Sequence, residues 1–546
     1  MTNDKKLNIA IIGGATSGWM AAAWLKKIHP NTNITVVESP QVPKIGVGES
    51  VTVHVTEFLR VLELDEDDVM FATGAVYKYG NDFINWVHGK GENELFTFSF
   101  NKNKQHLHSS PYSSAVWDSS LEVTENDTRL TDYWLDLKQQ GIINKTFDKS
   151  FNGLMDFCHK SNPRAPFIDN TPYLPPTDLI YAYHINAEKF GDYIRDKSAL
   201  PNGVNHILGH VSQVVKSDAQ SIEKVVLDTG EEVYADFFLD CTGFHRVLMK
   251  EFSDNIKWQE YPHCPANRSM VCQVEYNDPK TEMVNATKSI AMNKGWVFDI
   301  DVYNRRGTGY VYSNEFVSDD EVYDEFTKKI ITGKAKFEPK IIAWDKKSMK
   351  NPGFGNVCAI GMTVGFVEPM EANMLGVILN TVWTFTNLLS ASEDKKTIDW
   401  DTYNELVGHT FSDVADFISV HYTLTQRTDT EFWNEMQSWG RKYNHKELLL
   451  DKYNDYKNTI NGAAQGLSFF PDYMWIQLAD AWGIDISQWP NKPITNDERE
   501  LAKLHFDYVS NHMKIVSKQF PSYYEFLKEH RFQGLTPNEW HDKMYG

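Results

Sequence analysis

The sequence predicts an α/β fold, in which a Rossmann-like parallel-sheet domain is interrupted along the chain and joined to a mostly helical second module. Three observations predict it. The β-branched run Leu7–Ile12 meets Gly13-Gly14-Ala15-Thr16-Ser17-Gly18, then a helix-spaced apolar series, then a second strand ending on Glu38. Strand-like runs recur far downstream, at 233–240 and 357–361, as returns to the same sheet. The stretches near 101–175 and 425–546 are rich in aromatics, with helical spacing in Leu448, Leu449, Tyr453 and Tyr456.

The first unit asks for its residue types one by one. Leu7–Ile12 reads as a buried parallel strand, and Ala21, Trp24, Leu25 and Ile28 recur at helical spacing. Gly13 serves the tight turn, the helix start presents N–H groups to a pyrophosphate, and Gly18 lets helix and strand approach. Ile34–Glu38 is the second strand, and Glu38 stands where an acid takes a ribose hydroxyl. The candidate contacts are Gly13, Gly14, Ala15, Ser17, Gly18 and Glu38. Ala15 replaces the middle glycine, so the backbone approaches the phosphates less closely.

No second fingerprint follows. Gly307-Thr308-Gly309 and Gly353-Phe354-Gly355 lack the third glycine and the helix, so a Rossmann site for NADPH is not expected. Val233–Asp240 reads as a strand running into Asp240-Cys241-Thr242-Gly243, and Val357–Gly361 as a strand leading to a long helix. Asp240, Gly243, Gly361 and Val364 are the cofactor candidates there. The expected division is a discontinuous core, 1–100 with 176–424, and a mostly helical module, 101–175 with 425–546.

Composition narrows the partners. With 41% hydrophobic and 23% charged residues the chain is globular, and its net charge of −20 argues against a nucleic-acid partner. Five cysteines without CxxC spacing argue for a reducing compartment and against a disulfide framework or zinc site. Met374–Leu389 is interrupted by Asn380, Thr381, Thr384, Thr386 and Asn387, so it reads as a buried helix rather than a membrane span. Lys5 and Lys6 precede an apolar run that glycines break at once, unlike a signal peptide; a cytoplasmic location is expected. The 13% aromatic content, with 16 Trp, suits both a core and a pocket for a flat ring.

Six motifs in order carry a resemblance. They are Gly13–Trp19, Ile45-Gly46-Val47-Gly48-Glu49-Ser50, Gly74–Lys78 with Phe83 and Trp86, Gly295-Trp296 through Arg305, Gly307, Gly309 and Tyr310, Phe366–Glu371, and His421-Tyr422 with Arg427, Asp429-Thr430 and Phe432-Trp433. With them the chain resembles the flavin-dependent halogenases, in the branch of the tryptophan halogenases, over nearly its whole length. The resemblance implies an FAD-binding Rossmann-like domain of the GR2 monooxygenase-like type. Gly46, Val47, Gly48 and Glu49 would lie along the flavin.

The resemblance also implies a reaction. Reduced FAD, delivered by a separate flavin reductase, and dioxygen oxidise a halide ion to hypohalous acid, which travels within the protein to a small aromatic substrate. Lys78 occupies the position of the family's catalytic lysine, suited to hydrogen-bond hypohalous acid or to carry the halogen as a haloamine. Glu371 occupies that of the active-site glutamate, suited to hold the lysine or to take the ring proton. A homodimer is the family's habit.

Departures from the family pattern bear on specificity. Ser-Thr-Gly after the glutamate is replaced by Ala372-Asn373-Met374, and Asn373 and Met374 are the candidate halide residues. Pro369 in the first turn of the long helix would leave N–H groups near Ala372–Met374 open to an anion. The soft thioether leads to the expectation that bromide or iodide is used better than chloride. Trp296-Val297-Phe298-Asp299-Ile300-Asp301 stands where the family reads Trp-x-Trp-x-Ile-Pro, so Phe298 keeps bulk without an indole N–H and Asp301 removes a rigid Pro. The substrate pocket is assigned to Trp296, Phe298, His421, Phe432 and Trp433, with Tyr133 and Trp134 as further stacking candidates. Residue by residue, core packing competes with each of these roles, and His421 and His184 are of a type more often satisfied in the core than acting as bases. Two other readings share the cofactor half: an FAD-dependent aromatic monooxygenase, which needs no lysine at position 78, and a catalytically silent flavoprotein that acts as a binding module.

Overall fold

A computed structural model describes residues 6–42, 49–90, 94–99, 130–146, 181–392, 396–459, 469–470, 472–491, 493–517 and 522–545. The N-terminal unit forms as its pattern demands: β1 (Asn8–Ile12), α1 (Thr16–Ile28) and β2 (Asn33–Glu38). β1 lies centrally in a six-stranded sheet, parallel to β2 on one side and to Phe237–Asp240 on the other. Val357–Ala359 adds in parallel beyond Phe237–Asp240, Gly353–Phe354 closes that edge antiparallel, and Asn205–Leu208 extends the other. Strands far apart in sequence therefore share one sheet.

One expected strand divides. Of Val233–Asp240, Glu232–Tyr234 joins a separate antiparallel ribbon and Phe237–Asp240 enters the parallel sheet. Asp236 makes the changeover: its N–H donates to Asn8 O at 2.8 Å and its carboxylate accepts the Asn8 N–H at 2.8 Å.

A seven-stranded, mainly antiparallel sheet stands beside the first, in the order Lys340–Ala343, Arg268–Val274, Arg305–Tyr312, Gly295–Val302, Ala286–Ala291, Gly80–Ile84 and Leu95–Ser99. Period-2 alternation sends Trp296, Phe298 and Ile300 into the main core, while Val297 enters a smaller one with Met270, Tyr310 and Phe326. A three-stranded sheet of Glu49–Ser50, Ala182–Ile185 and Val76–Lys78 leads into the seven-stranded one at Gly80.

The expected buried helix is Met374–Ala391. By length and mean hydropathy it could cross a membrane, yet it packs against α1 and the Trp400–Thr423 helix, with Leu379, Val382 and Phe385 fully buried. Leu448, Leu449, Tyr453 and Tyr456 lie in the His445–Thr459 helix. Among the described residues, Cys241, Cys264, Cys272 and Cys358 carry free, buried thiols.

Candidate active site

The turn after β1 requires glycine. Gly13 has φ +115°, and a Cβ there would lie 2.6 Å from the Cys241 carbonyl oxygen. Gly18 lies so close to the strand that a Cβ would meet Gly13 O at 1.8 Å. Ala15 precedes α1 and offers no side-chain cap, so no capping side chain covers the amides of the first turn. A cradle of backbone amides that any Cβ would fill fits a pyrophosphate.

Around this turn, Ser17 Oγ donates to Cys241 O at 3.4 Å, and Glu38 Oε2 lies 2.9 Å from His206 Nε2. Asp240 faces inward. It accepts the N–H and hydroxyl of Thr242 and the N–H groups of Leu248 and Met249, and so shapes the loop that carries Gly243. Gly361 opens a short 3-10 turn, and Val364 is buried with its N–H donating to Gly361 O and its C=O accepting from Met349. Gly46, Val47 and Gly48 lie outside the described residues, as does the side chain of Glu49.

Lys78 ends the strand Val76–Lys78. In the register, His184 stands opposite both Ser50 and Val76, and Lys78 stands opposite Ala182. Cross-strand partners share a face, so Ser50, His184 and Lys78 occupy the same side of the small sheet. Lys78 is completely buried, and its Nζ donates to Val51 O at 3.3 Å. Burial pushes its ammonium down to about 7, opposed by the attraction of Glu371. Burial, and then the Lys78 charge, hold His184 well below the ordinary histidine value. His184 Nε2 lies 2.9 Å from Thr287 Oγ1, which is 2.7 Å from Ser50 Oγ.

Glu371 comes from a distant turn. It and Ala372 are consecutive non-glycine residues in the left-handed region, with φ of 61° and 55°. Such strain costs on the order of 1–3 kcal/mol per residue and persists where the surroundings enforce it. Here they do. Asn81 donates its side-chain N–H to Glu371 Oε2, and His421 Nε2 lies 3.4 Å from Oε1. Asn81 and Phe83 share a face of the Gly80–Ile84 strand, and Phe83 stacks on the His421 ring at 4.9 Å.

The same strain corrects the expected start of the long helix. An α-helix cannot contain two left-handed residues, so it begins at Met374 rather than at Pro369. The Ala372 N–H is taken by Pro369 O at 3.1 Å, and the Asn373 side chain donates to Met370 O at 2.7 Å. The helix-start amides are thus those from Met374 onward.

The aromatic candidates separate into layers. Trp86 lies edge-on to Phe83 at 5.7 Å and tilted against Trp296 at 6.2 Å, with Phe298 6.1 Å beyond Trp296. The Trp296 indole donates to Glu368 at 3.3 Å, as does the Tyr422 hydroxyl at 3.0 Å, while burial pushes the Glu368 carboxyl up to about 8. Trp433 and Phe432 lie further back: the Trp433 indole donates to Met292 O at 2.9 Å, and Phe432 packs edge-on to Phe316. Arg427 explains their motif. It grips Asp429 at 2.9 and 2.7 Å, donates to Asn85 O at 3.0 Å, and lies over the Trp433 ring. Tyr133 and Trp134 sit buried in the Leu130–Gln139 helix.

The fold thus brings together Lys78, Glu371 and His421, and adds Asn81, which the sequence reading missed. Its only signal was a polar residue sharing the parity of Phe83 in a buried strand. The Val51 carbonyl left no signal at all.

A profile of the tryptophan halogenase family matches residues 8–493. The chain is 28% identical over 456 residues to tryptophan 6-halogenase ThaL of Streptomyces albogriseolus, covering 82% of this chain and 81% of the relative. It is 29% identical over 432 residues to tryptophan 7-halogenase RebH of Lentzea aerocolonigenes, covering 78% of each. The solved tryptophan halogenase of Shewanella frigidimarina superposes with a TM-score of 0.80 at 25% identity, covering 97% of this chain and 99% of that one.

Proposed function

The chain belongs to the tryptophan halogenase family, and on that premise we propose that it is a flavin-dependent halogenase acting on an electron-rich aromatic of the indole or phenol type. A separate flavin reductase delivers its reduced FAD. The observation that carries this reading is a completely buried lysine under the influence of a buried glutamate that Asn81 holds by a hydrogen bond.

Reduced FAD, when bound, supplies with dioxygen the oxidation of halide to hypohalous acid. The Gly13–Gly18 turn and α1 would hold its pyrophosphate, and Glu38 would take its ribose. Lys78 meets the oxidant. With its ammonium brought to about 7, much of the group is a neutral amine at ordinary pH, able to take the halogen from hypohalous acid on Nζ as water leaves. It passes the halogen to one ring carbon as the N–halogen bond breaks and the ring proton returns to the amine by way of Glu371. Glu371 accepts the ring proton as aromaticity returns, held in place by Asn81. Trp296 and Phe298 wall the substrate side. Asn373 and Met374 stand at the start of the long helix, where the family carries a hydroxyl residue and glycine, and favour bromide or iodide over chloride.

The test is reconstitution with a flavin reductase, NADH, bromide and an indole or a phenol, read by mass spectrometry. Brominated ring is expected. Hydroxylated product, or Lys78→Ala that leaves turnover intact, favours a monooxygenase instead.

A further inference from the structure

The family profile ends at residue 493, yet the residues that back the lysine strand come later. On the face of Val76–Lys78 turned away from His184, Tyr77 stands opposite Tyr183, and the C-terminal segment closes over it. The Tyr523 hydroxyl donates to the backbone carbonyl of Tyr77 at 2.8 Å. Arg531 Nε donates to the Tyr77 hydroxyl at 2.8 Å, and the guanidinium also lies 3.4 Å from Asp67. The turn before the strand is gripped too. Trp540 covers Gly74, whose added Cβ would meet that ring at 2.6 Å, and its indole donates to Phe71 O at 2.9 Å. Tyr303, whose N–H donates to Gly74 O at 2.9 Å, stacks on Phe532 at 3.4 Å.

These contacts act on Lys78 through one peptide unit. Tyr77 O belongs to the linkage that leads into Lys78, so a bond to it fixes where the Lys78 Cα sits. A short strand with no such bond frays, because few ladder hydrogen bonds hold it. A buried amine at the end of a fraying strand gains water and loses its aim.

We infer that the C-terminal segment Ser522–Tyr545 is a brace for the lysine strand, with Tyr523 and Arg531 as positioning residues that keep Lys78 dry and aimed. The inference rests on the proposed role of Lys78, but its first test does not depend on activity. The double variant Tyr523→Phe/Arg531→Met is compared with wild type and with Lys280→Ala, which breaks the 2.9 Å contact of Lys280 with Glu525 on the same segment without touching Tyr77. Lysine side-chain NMR of the cofactor-free protein follows the titration of Lys78. It is expected near 7 in wild type and in the Lys280 variant, and to move toward the ordinary lysine value in the double variant. In the reconstituted enzyme, bromide oxidation is expected to persist while hypobromous acid trapped in solution rises several-fold per brominated product.

An unchanged Lys78 titration overturns the brace, and so does an unchanged partition between trapped oxidant and product in an enzyme that brominates. A wild type that brominates no aromatic, combined with a shifted Lys78 titration in the double variant, removes the functional reading and leaves the brace standing. Should the double variant unfold, Tyr523→Phe alone loses a single oxygen and must show the same direction of change.

Discussion

His421 Nε2 stands 3.4 Å from Glu371 Oε1, with both side chains closed off from solvent. A backbone carbonyl only accepts, so His421 Nδ1 donates to Phe417 O at 2.7 Å, and Nε2 is the nitrogen left facing the carboxylate. One oxygen of Glu371 is thus held by Asn81, and the other faces the His421 ring nitrogen that is not bonded to Phe417.

Glu371→Gln removes the proton acceptor. Aromatic halogenation is expected to fall about 100-fold while halide oxidation continues, a split seen by assaying brominated product and trapped hypobromous acid in parallel. Asn81→Leu keeps the acid but frees its orientation, and is expected to cost about 10- to 100-fold by the same assays.

The rate of ring halogenation is expected to rise with pH through a midpoint near 7 as the Lys78 ammonium gives up its proton, and to level off above it. Lys78→Ala abolishes product at every pH, and Lys78→Arg, which stays charged, does not restore it. A rate that falls through the same midpoint would assign the work to the ammonium as a hydrogen-bond donor.

Lys78 also costs stability. Its folded value lies near 7 and its ordinary value is 10.5, so between these limits the unfolded chain binds the extra proton and stability from this site rises with pH. The cost is complete below about pH 7, on the order of a few kcal/mol, and disappears toward the upper limit. Lys78→Met is expected to raise the melting temperature most near neutral pH and least near pH 10, measured by calorimetry across that window.

Equal concentrations of chloride, bromide and iodide, offered together, should give chiefly the brominated or iodinated product. Met374→Gly is expected to move the ratio toward chloride, read by mass spectrometry of the mixed products.

Gly13→Ala places a methyl 2.6 Å from Cys241 O at a φ of +115°. FAD affinity is expected to drop by at least about tenfold, as measured by quenching of flavin fluorescence, with the far-UV circular dichroism retained.

Much of this architecture was legible from local pattern. The glycine turn after Leu7–Ile12 and the helical spacing to Ile28 each depend on neighbours a few residues away, so β1, α1 and β2 lie where periodicity puts them. Lys78 and Glu371 were singled out by their places in the family's motifs, and the fold brings both into one buried cluster. Local pattern failed where distant segments had to meet. Pro369 signalled a helix start, but the Asn81 bond to Glu371 accompanies two left-handed residues that postpone the helix to Met374.

Chemistry-bearing residue types are a property of the chain itself, because side-chain identity and short-range spacing are written in it. Burial, and hence the lowered proton affinity of Lys78, is a property of the assembled fold. Val51, Glu371, and the C-terminal Tyr523 and Arg531 behind Tyr77 converge on that strand only after long-range pairing has brought them there.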